Sequence, residues 1–119
     1  MYKKIDHVGI AVRSLRKALE VYESGLGFRA AHLEEVAEQR TRVAMLPIGE
    51  SRIELLEATD ESSPIARFIA KRGEGMHHIC FQVEDLAGEL RQLQRAGVRL
   101  IDKEPRPGAG GCLVAFVHP

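Results

Sequence analysis

Four side chains in this sequence have the types needed to hold a divalent metal or to move a proton. Two are the adjacent histidines His77 and His78, at the head of the apolar run in "GEGMHHICFQVEDL". The third is His7 in "IDHVGIAV", and the fourth is Glu54 in "SRIELLEAT". Imidazole is a common ligand for divalent transition metals. Glu54 stands between Ile53 and Leu55 in an otherwise apolar strand, where an ionised carboxylate is costly unless paired or metal-bound. Glu57 falls on the opposite face near the strand end and reads as solvent-exposed.

These residues need strands to aim them. "IDHVGIAV" alternates and is rich in β-branched residues, so it reads as a strand over 5–12. Successive strand side chains point to opposite faces. His7, Gly9 and Ala11 therefore share one face, and Val8, Ile10 and Val12 the other. In "MHHICFQV" the same alternation groups His78, Cys80 and Gln82, and sets His77 with Ile79, Phe81 and Val83. Each strand has a greasy face for packing and a face with one His followed by a small residue, Gly9 or Cys80, which leaves room for a ligand. This alternation sets His78 on the face open to a ligand and His77 on the packed side; His7 and His78 are either ligands or strand-end histidines satisfied by hydrogen bonds.

The two strands are related. "HVGIAVRSL" from His7 and "HICFQVEDL" from His78 align at an offset of 71 places, with His, Val and Leu identical at the first, sixth and ninth positions. "SLRKALEVYESGLG" follows the first, with apolar residues at helical spacing and Ser14 as N-cap; "EDLAGELRQLQRAG" follows the second. Strands over 28–35, 40–46 and 52–57 complete a β-α-β-β-β unit. Ser63 as N-cap and Pro64 at the first helical position open a connecting helix, and glycines close it. The second unit continues with strands in "VRLIDKEP" and "GCLVAFVHP".

Composition limits the partners. The 119 residues, 45% hydrophobic and 29% charged, fit one soluble domain. Lys plus Arg equals Asp plus Glu at 17 each, which argues against nucleic acid or an anionic membrane as the main partner. There is no signal-peptide pattern and no apolar run of membrane-spanning length, so a cytoplasmic location is expected. Cys80 and Cys112 read as reduced core thiols within strands.

This arrangement resembles the vicinal oxygen chelate superfamily. Within it, "IELLEATDESSPIARFIAKRGEGMHHICFQVEDL" and "DKEPRPGAGGCLVAFVHP" resemble the methylmalonyl-CoA epimerases, over nearly the whole chain. The resemblance implies an α+β fold of two βαβββ units in tandem, at about 1–58 and 75–119, joined by a helix near 63–73. A curved mixed sheet surrounds a metal-centred cavity, and the second unit lacks its last strand in this sequence. It implies a divalent cobalt, manganese, nickel or zinc ion held by His7, Glu54 and His78, with Glu54 also acting as acid/base. The family's fourth ligand, a Glu on the last strand, has no counterpart before Pro119. Some relatives place a basic Glu on the third strand where Val43 stands here, so no base is transferred to Val43. Gln39 is expected to line the cavity. The implied reaction inverts C2 of methylmalonyl-CoA, an acyl-CoA substrate, and a homodimer is expected; a glyoxalase I-like lyase or isomerase and a metal-free binding module are the alternatives. Arg67, Lys71, Arg72, Lys103 and Arg106 read as solvent-facing rather than as contacts to CoA phosphates. "PRPGAGG" lacks the strand–helix context of a nucleotide loop and reads as mobile.

Overall fold

The alternating first segment forms β1, Tyr2–Ala11, and the residues that follow it turn at once into a helix. Ser14 caps α1, Leu15–Leu19, by accepting a hydrogen bond from the Lys17 amide at 3.2 Å. The helix widens into a π-type turn over Glu20–Gly25. Phe28 does not begin a strand: its amide bonds the Tyr22 carbonyl and its ring packs on Tyr22, closing the helix, and β2 starts only at His32 (His32–Val36). β3, Thr41–Ile48, and β4, Ser51–Ala58, form a hairpin. Ile48 opposes Ser51, leaving a Gly49–Glu50 turn in which Gly49 takes φ 59°. The computed structural model describes all of residues 1–119.

Ser63 and Pro64 behave as their types dictate. The buried Ser63 hydroxyl accepts from the Ile65 amide at 3.1 Å, and α2 runs Pro64–Arg72. β5, Gly75–Val83, follows, and Asp85 caps α3, Leu86–Arg95.

The main sheet is mixed and open, in the order β2-β3-β4-β1-β5. β1 lies between β4, which runs parallel to it, and β5, which runs antiparallel. Gly9 is thereby level with both Glu54 and His78, and three neighbouring strands bring the candidate ligands together. Two apolar clusters flank the sheet. Val12, Ala44, Leu46 and Leu55 pack under α1, while Ala11, Val43, Met45, Leu56 and Ile65 pack with α2 on the face that carries His7 and Glu54.

The second unit departs from its expected strands. Arg106–Pro107 and Leu113–Val114 make a small separate ladder, β6 and β7, and Leu100 and Val117 form a single bridge. Pro105 and Pro107 have no amide to give a ladder, and the Asp102 carboxylate takes the Phe116 amide at 2.8 Å. The Pro105–Gly111 loop is also tied down, since the Gly110 amide donates to Glu34 at 2.8 Å and Ala109 packs with the α2-side cluster. Cys112 is exposed and outside any strand, not in the core. No helix is long and apolar enough to cross a membrane.

Candidate metal centre

The two histidines that sequence comparison pairs meet in space. His7 Nε2 lies 3.1 Å from His78 Nε2, with the rings edge to face. His7 is buried, with 7% of its surface exposed. Its other nitrogen, Nδ1, lies 2.8 Å from an Asp6 carboxylate oxygen. A carboxylate only accepts, so His7 carries its proton on Nδ1 and turns an Nε2 lone pair towards His78. A spacing of 3.1 Å matches two neighbouring ligands of one ion at metal–nitrogen distances of about 2.1 Å.

Gly9 makes this possible, though not by leaving open space. A Cβ at Gly9 would stand 2.3 Å from His78 Cε1, so the imidazole fills the place that a side chain would take. Burial pushes the His78 imidazole down to about 4, with His7 and His77 adding to the effect, so it is neutral and able to bind metal at neutral pH.

Glu54 is only 3% exposed, and it sits beside His7 rather than between the two imidazoles. Its Oε2 accepts from Arg52 at 2.6 and 2.8 Å and lies 3.3 Å from His7 Nδ1. The three donors that all fall within 4.8 Å of one another are Asp6, His7 and Cys80, not His7, Glu54 and His78. Arg52 explains the difference, because its guanidinium also reaches Asp6 at 3.1 Å and gathers both carboxylates on the Nδ1 side of His7. Burial alone would raise the Asp6 carboxyl, but the bond to His7 and the Arg52 charge outweigh it and hold Asp6 below the usual range. Two carboxylates against one guanidinium leave an excess negative charge beside the two facing imidazoles. That balance and the converging nitrogens fit a divalent cation. Burial, reinforced by Asp6 and Glu54, pushes the Cys80 thiol up to about 11, so it is no thiolate at neutral pH.

A profile of the glyoxalase/bleomycin resistance protein/dioxygenase superfamily matches residues 6–116. The chain belongs to that superfamily. Within it, the chain groups with the methylmalonyl-CoA epimerases. It is 36% identical to the ethylmalonyl-CoA/methylmalonyl-CoA epimerase of Cereibacter sphaeroides, over all of this chain and 90% of that one. A solved methylmalonyl-CoA epimerase in complex with methylmalonyl-CoA and NH4+ superposes with a TM-score of 0.96 at 39% identity, covering all of this chain and 87% of that one. A variant of the Streptomyces coelicolor enzyme in complex with 2-nitronate-propionyl-CoA matches with the same TM-score, identity and coverage.

Other residues of this superfamily member fall differently from expectation. Alternation set His77 apart, yet its Nδ1 lies 2.8 Å from His78 Nδ1 while its ring meets Phe68 of α2 at 4.9 Å. The reason is a bulge: His78 pairs with Gly9 and Met76 with Ile10, which leaves His77 opposite nothing and breaks the alternation. Asp6 is skipped in the same way, between the Ile5–Phe81 and His7–Cys80 pairs. The bulges hide Asp6 and His77 from alternation, and the one sequence signal for them is an acid or imidazole directly preceding each histidine; Cys80 lies on the face that alternation gives it, beside His78, and Arg52 has no such signal.

Gln39 lies on the 3-10 turn joining β2 to β3, beside Thr41, which pairs with Ala58. That is four residues along β4 from Glu54, or about 13 Å at the usual strand rise. Glu57 is half-buried and employed: it accepts from the Leu15 amide at 3.3 Å and pairs with Arg42 at 3.1 Å. Arg67, Lys71, Arg72 and Lys103 are exposed. Arg106 is not free in the same way, because its guanidinium stacks on Phe116, whose ring in turn meets the His78 ring at 5.9 Å. Val43 is 2% exposed within the apolar cluster.

Proposed function

We propose that this chain is a metal-dependent epimerase that inverts C2 of methylmalonyl-CoA by removing and returning the α-proton. The observation that carries the reading is the pair of facing Nε2 atoms of His7 and His78, backed by the Asp6 carboxylate. His7 and His78 would hold the ion through their facing Nε2 atoms, and Glu54, which here turns to Arg52 and the Nδ1 side of His7, would be the third ligand that the resemblance implies; the ion would be cobalt, manganese, nickel or zinc. When bound, the ion supplies a Lewis acid that favours the enolate form of the thioester.

The chain's own residues do the rest. Asp6 keeps the His7 proton on Nδ1 and so leaves Nε2 free for coordination. Glu54 is the acid/base at its carboxylate oxygen, which the Arg52 guanidinium holds in place at 2.6 Å. Gln39 belongs to the wall against which the acyl-CoA lies. Inversion needs proton exchange on both faces of C2, most simply by two acid/base groups, of which Glu54 is one. We read residues 1–119 as one domain of two tandem units, working in the cytoplasm as a homodimer, the assembly expected of a duplicated sheet of this size.

The test is incubation of the metal-loaded protein with methylmalonyl-CoA in deuterated water. Deuterium entering at C2 is the expected result. Absence of exchange with the metal in place would overturn the reading and favour a glyoxalase I-like reaction on a thiol adduct. A protein that takes up no metal would point to a binding module instead.

A further inference from the structure

Of the three register shifts between β1 and β5, two are equivalent. Asp6 and His77 each immediately precede a histidine of the metal centre, and each is a residue left unpaired in that ladder. Each places a polar atom 2.8 Å from the following imidazole's Nδ1. The spacing that relates His7 to His78, 71 residues, also relates Asp6 to His77. We propose that His77 is a positioning residue that holds His78 through Nδ1 and leaves its Nε2 free for the metal, as Asp6 does for His7. This rests on the metal-centre reading above.

The chemistry of the two partners differs in one respect. Asp6 can only accept a hydrogen bond, so the His7 tautomer is fixed. His77 is an imidazole and can either donate or accept at Nδ1. Without metal, every contact is satisfied by protons running one way: His77 Nδ1–H donates to His78, His78 Nε2–H donates to His7, and His7 Nδ1–H donates to Asp6. A metal on His78 Nε2 displaces the proton there. That proton then belongs on His78 Nδ1, and His77 must accept where it previously donated, moving its own proton to Nε2. No net charge changes within the pair. The edge of the Phe68 contact keeps the His77 ring in place through this exchange. A bulged strand is the device that turns His77 towards its neighbour, and bulges re-aim side chains in this way.

Two substitutions separate this role from packing. His77→Phe keeps a ring against Phe68 and removes the Nδ1 contact. His77→Asn offers an amide that can donate or accept near the Nδ1 position. Zinc affinity is measured by competition with a chromophoric chelator on the full chain, with circular dichroism confirming the fold. His77→Phe should weaken zinc binding by about 10–100-fold without changing stoichiometry at saturation, and His77→Asn should restore most of the loss. Nitrogen-15 NMR of the native chain should show the His77 proton moving from Nδ1 to Nε2 on zinc addition. Native-like zinc affinity in His77→Phe, no rescue by His77→Asn, or an unchanged His77 tautomer overturns the inference. If the native chain binds no zinc, cobalt, manganese or nickel, the metal-centre reading falls and takes the inference with it; if it binds zinc and His77→Phe binds as well, only the inference falls.

Discussion

Replacing Gly9 by alanine should separate the metal centre's geometry from the stability of the fold. Gly9 does not use a left-handed backbone, so alanine suits its conformation, and an alanine in a strand interior is favoured by about 0.5–1 kcal/mol. The added Cβ, however, would stand 2.3 Å from His78 Cε1, 2.6 Å from Nδ1 and 2.8 Å from Nε2. An ordinary contact begins near 3.4 Å, so the ring must retreat by about 1 Å. That movement stretches the 3.1 Å spacing of the facing nitrogens well beyond the tolerance of about 0.2 Å that metal ligation allows. A misplacement of about 1 Å costs on the order of 10²-fold, equivalent to roughly 2.7 kcal/mol. The assay pairs a zinc-competition titration with a thermal melt. The expected outcome is an unfolding midpoint close to the native one together with zinc affinity at least ~10²-fold weaker. Native affinity in Gly9→Ala would refute the claim that the His78 ring occupies this place. A large fall in stability would refute the claim that Gly9 serves the centre rather than the strand.

Other outcomes follow from the same geometry. His78→Ala should abolish stoichiometric metal by elemental analysis, whereas His77→Ala should weaken affinity and retain stoichiometry at saturation. In metal-free protein, the His78 imidazole titrates near 4 when folded and near 6.5 when unfolded, so between these values the unfolded chain binds more protons. Stability is therefore full above about pH 6.5 and falls as pH drops towards 4, by on the order of 3 kcal/mol, and urea melts at a series of pH values measure it. Asp6 has the depressed pKa of a paired carboxylate, so its contribution is lost only at still lower pH, as pH falls through its folded value. At neutral pH iodoacetamide should alkylate exposed Cys112 well before Cys80, whose thiol is pushed up to about 11; mass spectrometry of a time course reads the order.

The legible parts of this molecule are those written in local chemistry. Ser63 and Pro64 specify the start of α2 because capping and a fixed φ involve only neighbours in sequence. Alternation places Ala11, Leu56 and Val43 in one cluster because a regular strand has a period of two. The repeat of His7 at His78 correctly matched two side chains that come within hydrogen-bonding distance. Alternation misled at His77 because a bulge belongs to the register between two strands, and no residue within "MHHIC" announces it. Glu54 was legible as a carboxylate needing a partner, but its partner Arg52 was not, since the direction of a guanidinium depends on Asp6 across the strand pair. The strands expected after α3 failed where prolines and the Asp102 side chain take over the backbone's hydrogen bonds.

The placement of β1 between β4 and β5 also has a kinetic meaning. Gly9 meets Glu54 on one side and His78 on the other, and both pairings close long stretches of chain. Contacts of such separation carry a loop-closure cost before they return any stabilisation, so they form slowly. Until the β1–β5 ladder has closed, His7 and His78 do not face one another, and until the β1–β4 ladder has closed, Glu54 does not lie beside His7, so the complete centre does not exist for an ion to bind. Metal should accordingly leave the rate of folding nearly unchanged and slow the rate of unfolding, acting as a latch on the finished sheet rather than as a template for its assembly.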